Sequence, residues 1–538
     1  MTEIMSVPTS LDITVLPAED FTPLFFYLRM LVCRPARAYN RRWENGGLAP
    51  HSFAERVFRM LQKAEAYVRA HAPQVDPTFR PRFHLATPVG WINDPNGFCV
   101  FRGRYHVFAQ FHPYDSVWGP MHWGHWVSDD LVVWTWLGVA LAPDSPYDDM
   151  GCFSGTALED GERLILIYTG VHRDADGRVV QEQCIAESHD GIHFEKWACN
   201  PVIGVKDLPP DGAPEDFRDP KLIRTPDGWR VIAANRGEKN GRQLSFVSPD
   251  LVHWTCEGVL LEGVGQMPEC PDYGPCDGRD LMLTSVMNLP QDGLRFQNGH
   301  HDVVYLVGQE RDGRLLPERM EAVDLGPDFY APQRIRTPDG RSVMIAWMDM
   351  WQTDSPTHYL GHGWRGQFTI ARELSIRDGR LLQRPVRELE RLRGEAFEAD
   401  VQVDGETAVP GLCGRRYDLL LDIAVRPGAW AEVRLLQDGG EYFSVRYDPQ
   451  TQVLTADRSR CGYTMGPGGG PEVKPAGRAV LEGATDRISL RILVDQCSVE
   501  VFAGDGEVAL TTLAFPKGPA EGISFAGQCA VHVRKWAL

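Results

Sequence analysis

From Arg82 onward, hydrophobic residues fall in short runs broken by Gly, Pro and Asp, the pattern of many brief strands joined by tight turns. The stretch before it reads differently. Phe53, Val57, Met60, Leu61, Ala64 and Val68 recur at helical spacing with Arg, Lys and Glu between them, which predicts one amphipathic helix from Phe53 to Ala72. Inside the strand-rich region a motif repeats at roughly sixty-residue intervals, the scale of an elaborated four-stranded propeller blade. Its copies are Ser128-Asp129-Asp130-Leu131-Val132-Val133-Trp134, Ser188-His189-Asp190-Gly191-Ile192-His193-Phe194 and Ser248-Pro249-Asp250-Leu251-Val252-His253-Trp254. Each predicts a hairpin turn followed by an aromatic side chain packed between blades. Past Gln383-Arg384-Pro385 the composition shifts, and alternating runs such as Tyr442 to Tyr447, Arg487 to Val494 and Ser498 to Phe502 suit a β-sandwich. The organisation predicted is an N-terminal extension with its helix (1–77), an all-β propeller (78–380), a linker (381–400) and a sandwich (401–538). The linker contains a short helical stretch, Val386 to Leu392, and Gly466 to Gly470 reads as a loop.

A chain of 538 residues is long enough for two or three domains, and its 43% hydrophobic content supports substantial cores. The net charge of -18 argues against nucleic acid and anionic membranes as partners but says little about a neutral small molecule. The twelve cysteines show no CxxC pair or zinc-like spacing, as expected of scattered, reduced, mostly buried thiols. Residues 1–50 match no pattern, and Phe21 to Val32 is apolar but short and interrupted by Pro23 and Arg29. With no basic segment leading into an apolar run and nothing of membrane-spanning length, the expected location is the cytoplasm.

Three acids stand next to prolines. Trp91-Ile92-Asn93-Asp94-Pro95-Asn96-Gly97 holds Asp94 in a stiff turn before the strand-like Phe98-Cys99-Val100-Phe101. Phe217-Arg218-Asp219-Pro220 sets a guanidinium beside a second acid, and Met267-Pro268-Glu269-Cys270-Pro271-Asp272 places Glu269 between prolines. Carboxylates held in fixed geometry are what glycoside hydrolysis requires: one attacks or activates water, another protonates the leaving oxygen, and their proton affinities must differ. The inner strands of successive propeller blades converge on a central funnel, which would bring these distant acids together.

In its motifs the chain resembles glycoside hydrolase family 32, the β-fructosidases. The resemblance spans residues 78–538 and includes Phe83-His84-Leu85, Phe108-Ala109-Gln110-Phe111, Trp118-Gly119-Pro120-Met121-His122-Trp123-Gly124-His125 and Gly151-Cys152-Phe153-Ser154-Gly155. Asp328-Phe329-Tyr330-Ala331-Pro332-Gln333, Ala346-Trp347-Met348 and Ser498-Val499-Glu500-Val501-Phe502 follow in the family's order. It implies five blades and a C-terminal sandwich. The implied enzyme is a retaining hydrolase acting on sucrose or sucrose 6-phosphate without cofactor or metal. Asp94 would be the nucleophile, Glu269 the general acid and base, and Asp219 the stabiliser of the oxocarbenium-like transition state. Arg218 would tune the local charge. Trp91, Ile92, Asn93, Gln110, Trp118, Phe153, Ser154 and Trp347 would contact the sugar. Retention implies carboxyl groups about 5–5.5 Å apart, and turn amides are expected to keep Asp94 ionised.

Other residues have plainer readings. His122 and His125 lack a carboxylate or Cys that would complete a metal site, so they are expected to line a strand or turn. Trp123 and Trp126 are expected to pack, Asp148 and Asp149 to be solvated in a loop, and Asp495 and Glu500 to lie at a surface or hinge. Fructan hydrolysis and fructosyl transfer use the same three acids. A non-catalytic sugar-binding relative would have lost an acid or Gln110, and a five-bladed arabinan hydrolase fits poorly with the context of Asp94. Only a basic cluster near the fructose 6-position is expected to separate the two sucrose substrates, and oligomeric state is not readable from the sequence.

Overall fold

A computed structural model describes residues 53–538 except 238–239, 300, 352 and 468–473. The expectations for residues 1–50, including the Phe21 to Val32 run, lie outside the described residues. Helix α1 (Phe53–His71) leads the described chain, with Ala64 and Val68 buried.

Five antiparallel four-stranded units follow, each in chain order from centre to rim. Their inner strands are Gly90–Phe101, Gly151–Asp160, Phe217–Thr225, Met267–Cys276 and Tyr330–Arg336. Gln333 of blade 5 closes the ring: its oxygen accepts from the Phe98 N–H at 3.1 Å, and its amide donates to the Gly155 carbonyl at 2.8 Å. Blade 5 contains an insertion with a short helix, α2 (Pro356–Tyr359).

The sequence repeat marks the turn between the third and fourth strands of blades 1 to 3. In each copy the aspartate (Asp130, Asp190 or Asp250) accepts two backbone N–H groups just beyond it, at 2.8–3.0 Å. Phe194 then packs edge-on against Phe108 of the neighbouring blade at 5.5 Å. Blades 4 and 5 turn instead through Asp312-Gly313 and Asp378-Gly379, two-residue hairpins with positive φ at both positions. The repeat therefore stops at three copies while the architecture continues.

All five inner strands break register near their start, between Ile92 and Pro95, Phe153 and Gly155, Arg218 and Lys221, Glu269 and Asp272, and Tyr330 and Gln333. Four of these bulges hold a proline (Pro95, Pro220, Pro271, Pro332), which a regular central strand would not accept because proline cannot donate to the ladder. Three of the preceding residues adopt left-handed backbone: Asp219 (φ 61°), Cys270 (φ 47°) and Ala331 (φ 51°). Such conformations cost about 1–3 kcal/mol each and persist where the surrounding fold dictates them.

The expected linker narrows. Arg380–Pro385 is the outer strand of blade 5, and Ala396–Asp404 already pairs with the last strand of the sandwich. Between them Arg387–Leu392 forms a short 3-10 helix, within the expected helical stretch Val386 to Leu392. The two layers of the sandwich share the strand Gly522–Ala537, whose first part pairs with Ala431–Asp438 and whose second pairs with Tyr417–Val425. It crosses between them at Gly527 (φ 106°), where a Cβ would sit 2.1 Å from the Trp430 carbonyl oxygen.

Two polar readings are corrected. Asp495 and Glu500, expected at a surface or hinge, are fully buried where the sandwich meets the propeller. His84 of the propeller bridges them, with its two ring nitrogens 2.9 Å from Asp495 and 2.9 Å from Glu500. Arg372 joins Glu500 to Asp324, which lies 2.8 Å from the guanidinium. Burial alone would depress the His84 pKa, but its two carboxylate partners raise it to about 9. Burial pushes both carboxylates up, but His84 brings Asp495 below its ordinary range, and Arg372 with His84 does the same for Glu500. Asp148, expected to be solvated, is also buried: it accepts from Lys196 at 2.6 Å, Tyr168 at 2.8 Å and the Ser145 N–H at 2.8 Å.

Candidate active site

The bulges of blades 1 to 5 each deliver one or two chemical groups to the mouth of the central funnel. Blade 1 brings Asp94, blade 2 Ser154, blade 3 Arg218 and Asp219, blade 4 Glu269 with Cys270, and blade 5 Tyr330. A bulge turns two successive side chains away from the normal alternation, so a strand otherwise committed to packing presents a polar group inward.

Asp94 is buried and receives a hydrogen bond from the Ser154 hydroxyl at 2.6 Å on Oδ2, with the Cys270 thiol 3.5 Å from the same oxygen. Its other oxygen, Oδ1, is buried without a hydrogen-bond partner. Cys270 also ties in Asp219: its N–H donates to Asp219 Oδ2 at 2.9 Å, and its sulfur is 3.6 Å away. The Asp219 N–H is held by Thr169 Oγ1 at 3.0 Å, and Thr169 in turn donates to the Ser154 carbonyl at 3.1 Å. Glu269 is gripped from both sides. Arg218 donates to Oε1 through Nε (3.1 Å) and Nη2 (2.8 Å), and the Tyr330 hydroxyl donates to Oε2 at 2.7 Å. The remaining arm of Arg218 reaches Asp216 at 2.8 Å.

Burial is the main cause of the Asp94 shift and pushes its pKa up. The Ser154 bond pulls it back, the neighbouring Asn93 side chain acts in the same direction, and the Glu269 charge adds to the rise. The expected turn amides do not act here; the carboxylate faces side-chain donors from neighbouring blades, and the net direction is upward. Asp219 is raised to about 7, first by burial, with Arg218 opposing and the charges of Glu269 and Asp94 adding. Burial drives the Tyr330 hydroxyl well above its ordinary range, and the Glu269 charge reinforces it, so it remains a donor.

The residues expected to contact sugar divide into two groups. Ser154, Arg218 and Asn93 meet the acids, and Trp118 stands half-exposed with its ring edge-on to Phe153 at 5.8 Å. Trp91 fixes Asn93 through an indole hydrogen bond of 2.7 Å. Gln110 is committed to the Cys152 carbonyl at 2.8 Å and orients the strand that carries Phe153 and Ser154. Trp347 is fully buried behind Trp91, with ring centres 5.7 Å apart. The Ile92 side chain lies in the core with Phe111, Ile345 and Phe368, so it does not face the acids. His122 bonds the Pro120 carbonyl, while His125 stacks on Phe108 and pairs with His106; Trp123 and Trp126 are buried packing residues. Cys270, Tyr330, Thr169 and Arg365 (whose guanidinium lies over the Trp91 ring at 4.6 Å) had been given no role. The X-Pro dipeptides Cys270-Pro271 and Ala331-Pro332 were the available signal, since they repeat the form of Asp94-Pro95 and Asp219-Pro220.

The five-bladed propeller and the sandwich agree with sequence comparison over both domains. Residues 84–385 match the glycosyl hydrolases family 32 N-terminal domain, and residues 388–535 match the family's C-terminal domain. The chain belongs to glycosyl hydrolase family 32. It is 37% identical to a raffinose invertase of Escherichia coli, over 83% of this chain and 92% of that protein. It is likewise 37% identical to a sucrose-6-phosphate hydrolase of Escherichia coli, over 85% and 93% of the two chains. Among solved structures, a Bombyx mori family 32 beta-fructofuranosidase in complex with sucrose superposes with a TM-score of 0.77 at 31% identity, covering 89% of this chain and 98% of its own. A sucrose-6-phosphate hydrolase from Lactobacillus gasseri gives 0.79 at 26% identity, covering 91% and 99%. Family membership makes the protein a glycoside hydrolase, and its propeller corresponds to the family's N-terminal domain. No described helix is long and apolar enough to cross a membrane.

Proposed function

We propose that this enzyme removes the terminal β-D-fructofuranosyl unit of sucrose or sucrose 6-phosphate with retention of configuration, acting in the cytoplasm. The observation that carries this reading is the junction of Asp94, Asp219 and Glu269 around Cys270 and Arg218, three carboxylates supplied by three different blades. Asp94 is the nucleophile. Ser154 occupies one of its oxygens, so the unpartnered Oδ1 is the one that attacks the anomeric carbon. Glu269 delivers a proton to the departing glucosyl oxygen and then takes one from the water that releases fructose. Tyr330 and Arg218 hold its carboxyl group for both steps. Asp219, fixed by the Cys270 amide, accepts hydrogen bonds from ring hydroxyls and stabilises the positive charge that develops on the sugar.

Retention makes the reading testable. In aqueous methanol the wild-type enzyme acting on sucrose should yield methyl β-D-fructofuranoside, identified by NMR, and the α-anomer would sink the double-displacement assignment. Azide should rescue a Glu269→Ala variant and give the β-fructosyl azide. Sucrose 6-phosphate carries its phosphate on the leaving glucosyl unit, so a basic cluster that selects it belongs at the funnel mouth and not at the fructose 6-position. Glucose or glucose 6-phosphate release at matched substrate concentrations decides it.

A further inference from the structure

The loop between the second and third strands of blade 1, residues 113–121, carries Trp118 to the funnel mouth, and elements outside the blade hold it there. The Tyr67 hydroxyl of α1 donates to the Tyr114 carbonyl at 3.1 Å, and the two rings meet edge-on at 5.1 Å. From the blade 5 insertion, His358 Nδ1 of α2 lies 2.8 Å from Ser116 Oγ. Within the blade, the His112 ring bonds the Val117 carbonyl at 2.9 Å. Gly119 lies flat on that ring, where a Cβ would come within 2.5 Å of it. The loop has no ladder of its own, so these contacts replace one. Without them the backbone around Trp118 would have to be ordered at each binding event.

We propose that Tyr67 and His358 are positioning residues that set leaving-group preference, by fixing the loop that presents Trp118. The inference rests on the function proposed above. Phe153 adjoins Ser154 and hence Asp94, while Trp118 stands one ring further out and is 48% exposed. A fructosyl unit seated on the acids therefore meets Phe153, and the sugar beyond it meets the Trp118 face, an apolar plane suited to a pyranose ring. Helix α1, which packs on the outer strand of blade 1 through the Glu65 carboxylate and the Val139 N–H, thereby acts on specificity from outside the funnel.

The test uses the full-length enzyme with Tyr67→Phe and His358→Ala combined, and separately Ser116→Ala, which cuts the second bond from the loop side. Hydrogen exchange of peptides covering 113–121 reads loop order without reference to activity, and it should quicken in both variants. KM for sucrose and raffinose should rise roughly three- to tenfold in the double variant, the loss expected for one or two hydrogen bonds. The inhibition constant of free fructose, which reports the inner pocket alone, should stay at its wild-type value. Unchanged exchange, or a fructose constant that rises in step with KM, overturns the proposal. Wild-type protein inactive on every β-fructofuranoside tested would overturn the functional reading beneath it, a result no variant can mimic.

Discussion

Among the described residues, two clusters of acids contain carboxylates whose proton affinities shift in opposite directions. At the funnel mouth, Arg218 meets Asp219 and Glu269 as well as Asp216, and Asp94 joins the cluster through Cys270. At the domain interface, Asp324, Asp495 and Glu500 share Arg372 and His84. Asp94 and Asp219 are pushed above their ordinary range, whereas Asp495 and Glu500 fall below theirs. Burial is common to both sites; what differs is the supply of positive charge and of backbone donors. Asp495 accepts the N–H groups of Arg82 (2.9 Å) and Phe83 (3.1 Å) as well as His84, so its charge is fully solvated by protein. Asp94 keeps an oxygen that nothing satisfies. The interface is organised for stability, and the funnel carries the perturbed carboxylates of the proposed reaction.

The largest effect that would break the comparison is expected at the funnel. With Asp94 as the proposed nucleophile, Asp94→Asn should cost about 10⁴-fold or more in kcat. It should not cost stability. The Asp94 pKa is raised on folding, so the native state holds more protons than the unfolded chain and ionisation of this group opposes folding as pH rises. A neutral isostere removes that opposition, and the melting temperature at pH 7 should equal or exceed the wild type's. A marked fall would mean that the funnel acids are structural after all. Glu500→Gln should do the reverse. It leaves Arg372 and His84 short of a buried countercharge, a loss of about 3–5 kcal/mol, with kcat little changed in whatever protein remains folded. Chemical denaturation of the two variants side by side tests both halves.

Much of this was legible in the chain, and the failures share a cause. The acids were found because a proline beside a carboxylate is an unusual local signal; bulges tolerate proline, so the signal reports the bulge. Cys270-Pro271 and Ala331-Pro332 carry the same mark without an acid before the proline, and Tyr330 and Cys270 went unassigned. The interface acids were missed because nothing near Asp495 or Glu500 in sequence shows that their partners are His84 and Arg372, more than a hundred residues away. Burial of a charge is decided by tertiary contacts, and alternation along a strand reports only which face is apolar. Asp148 failed for the same reason, its partner Lys196 lying on the rim of blade 2.

The interface also sharpens the comparison through pH. His84 has a folded pKa of about 9 against an ordinary 6.5, so its contribution is complete below pH 6.5 and is lost as pH rises through 9. The difference corresponds to about 3 kcal/mol. The carboxylates act at the other end: the stability from Asp495 and Glu500 is present above pH 4–5 and is lost as pH falls through their lowered values. Wild-type stability measured by denaturant titration should therefore decline between pH 6.5 and 9, and His84→Gln should flatten that decline while lowering the plateau. A parallel decline in both proteins would show that the alkaline loss arises elsewhere.

The smallest effect lies in a single hydrogen bond, and it asks whether the funnel acids are tuned or merely buried. Ser154 is foremost among the influences that pull the Asp94 pKa back down, through a 2.6 Å bond to the carboxylate. Ser154→Ala removes a bond to a charged acceptor, worth about 2 kcal/mol or roughly 30-fold in kcat/KM. The pH profile separates this from simple damage to the pocket. As the proposed nucleophile, Asp94 must be ionised to attack, so the acid limb of kcat/KM should follow its pKa in the free enzyme. Loss of the bond leaves burial and the Glu269 charge unopposed from that side, and the limb must move to higher pH. A loss of rate with an unmoved acid limb would show that Ser154 places the sugar without governing the nucleophile's charge. Burial would then set the reactivity of Asp94 on its own, and the contrast with the interface would rest on cations rather than on hydrogen bonds.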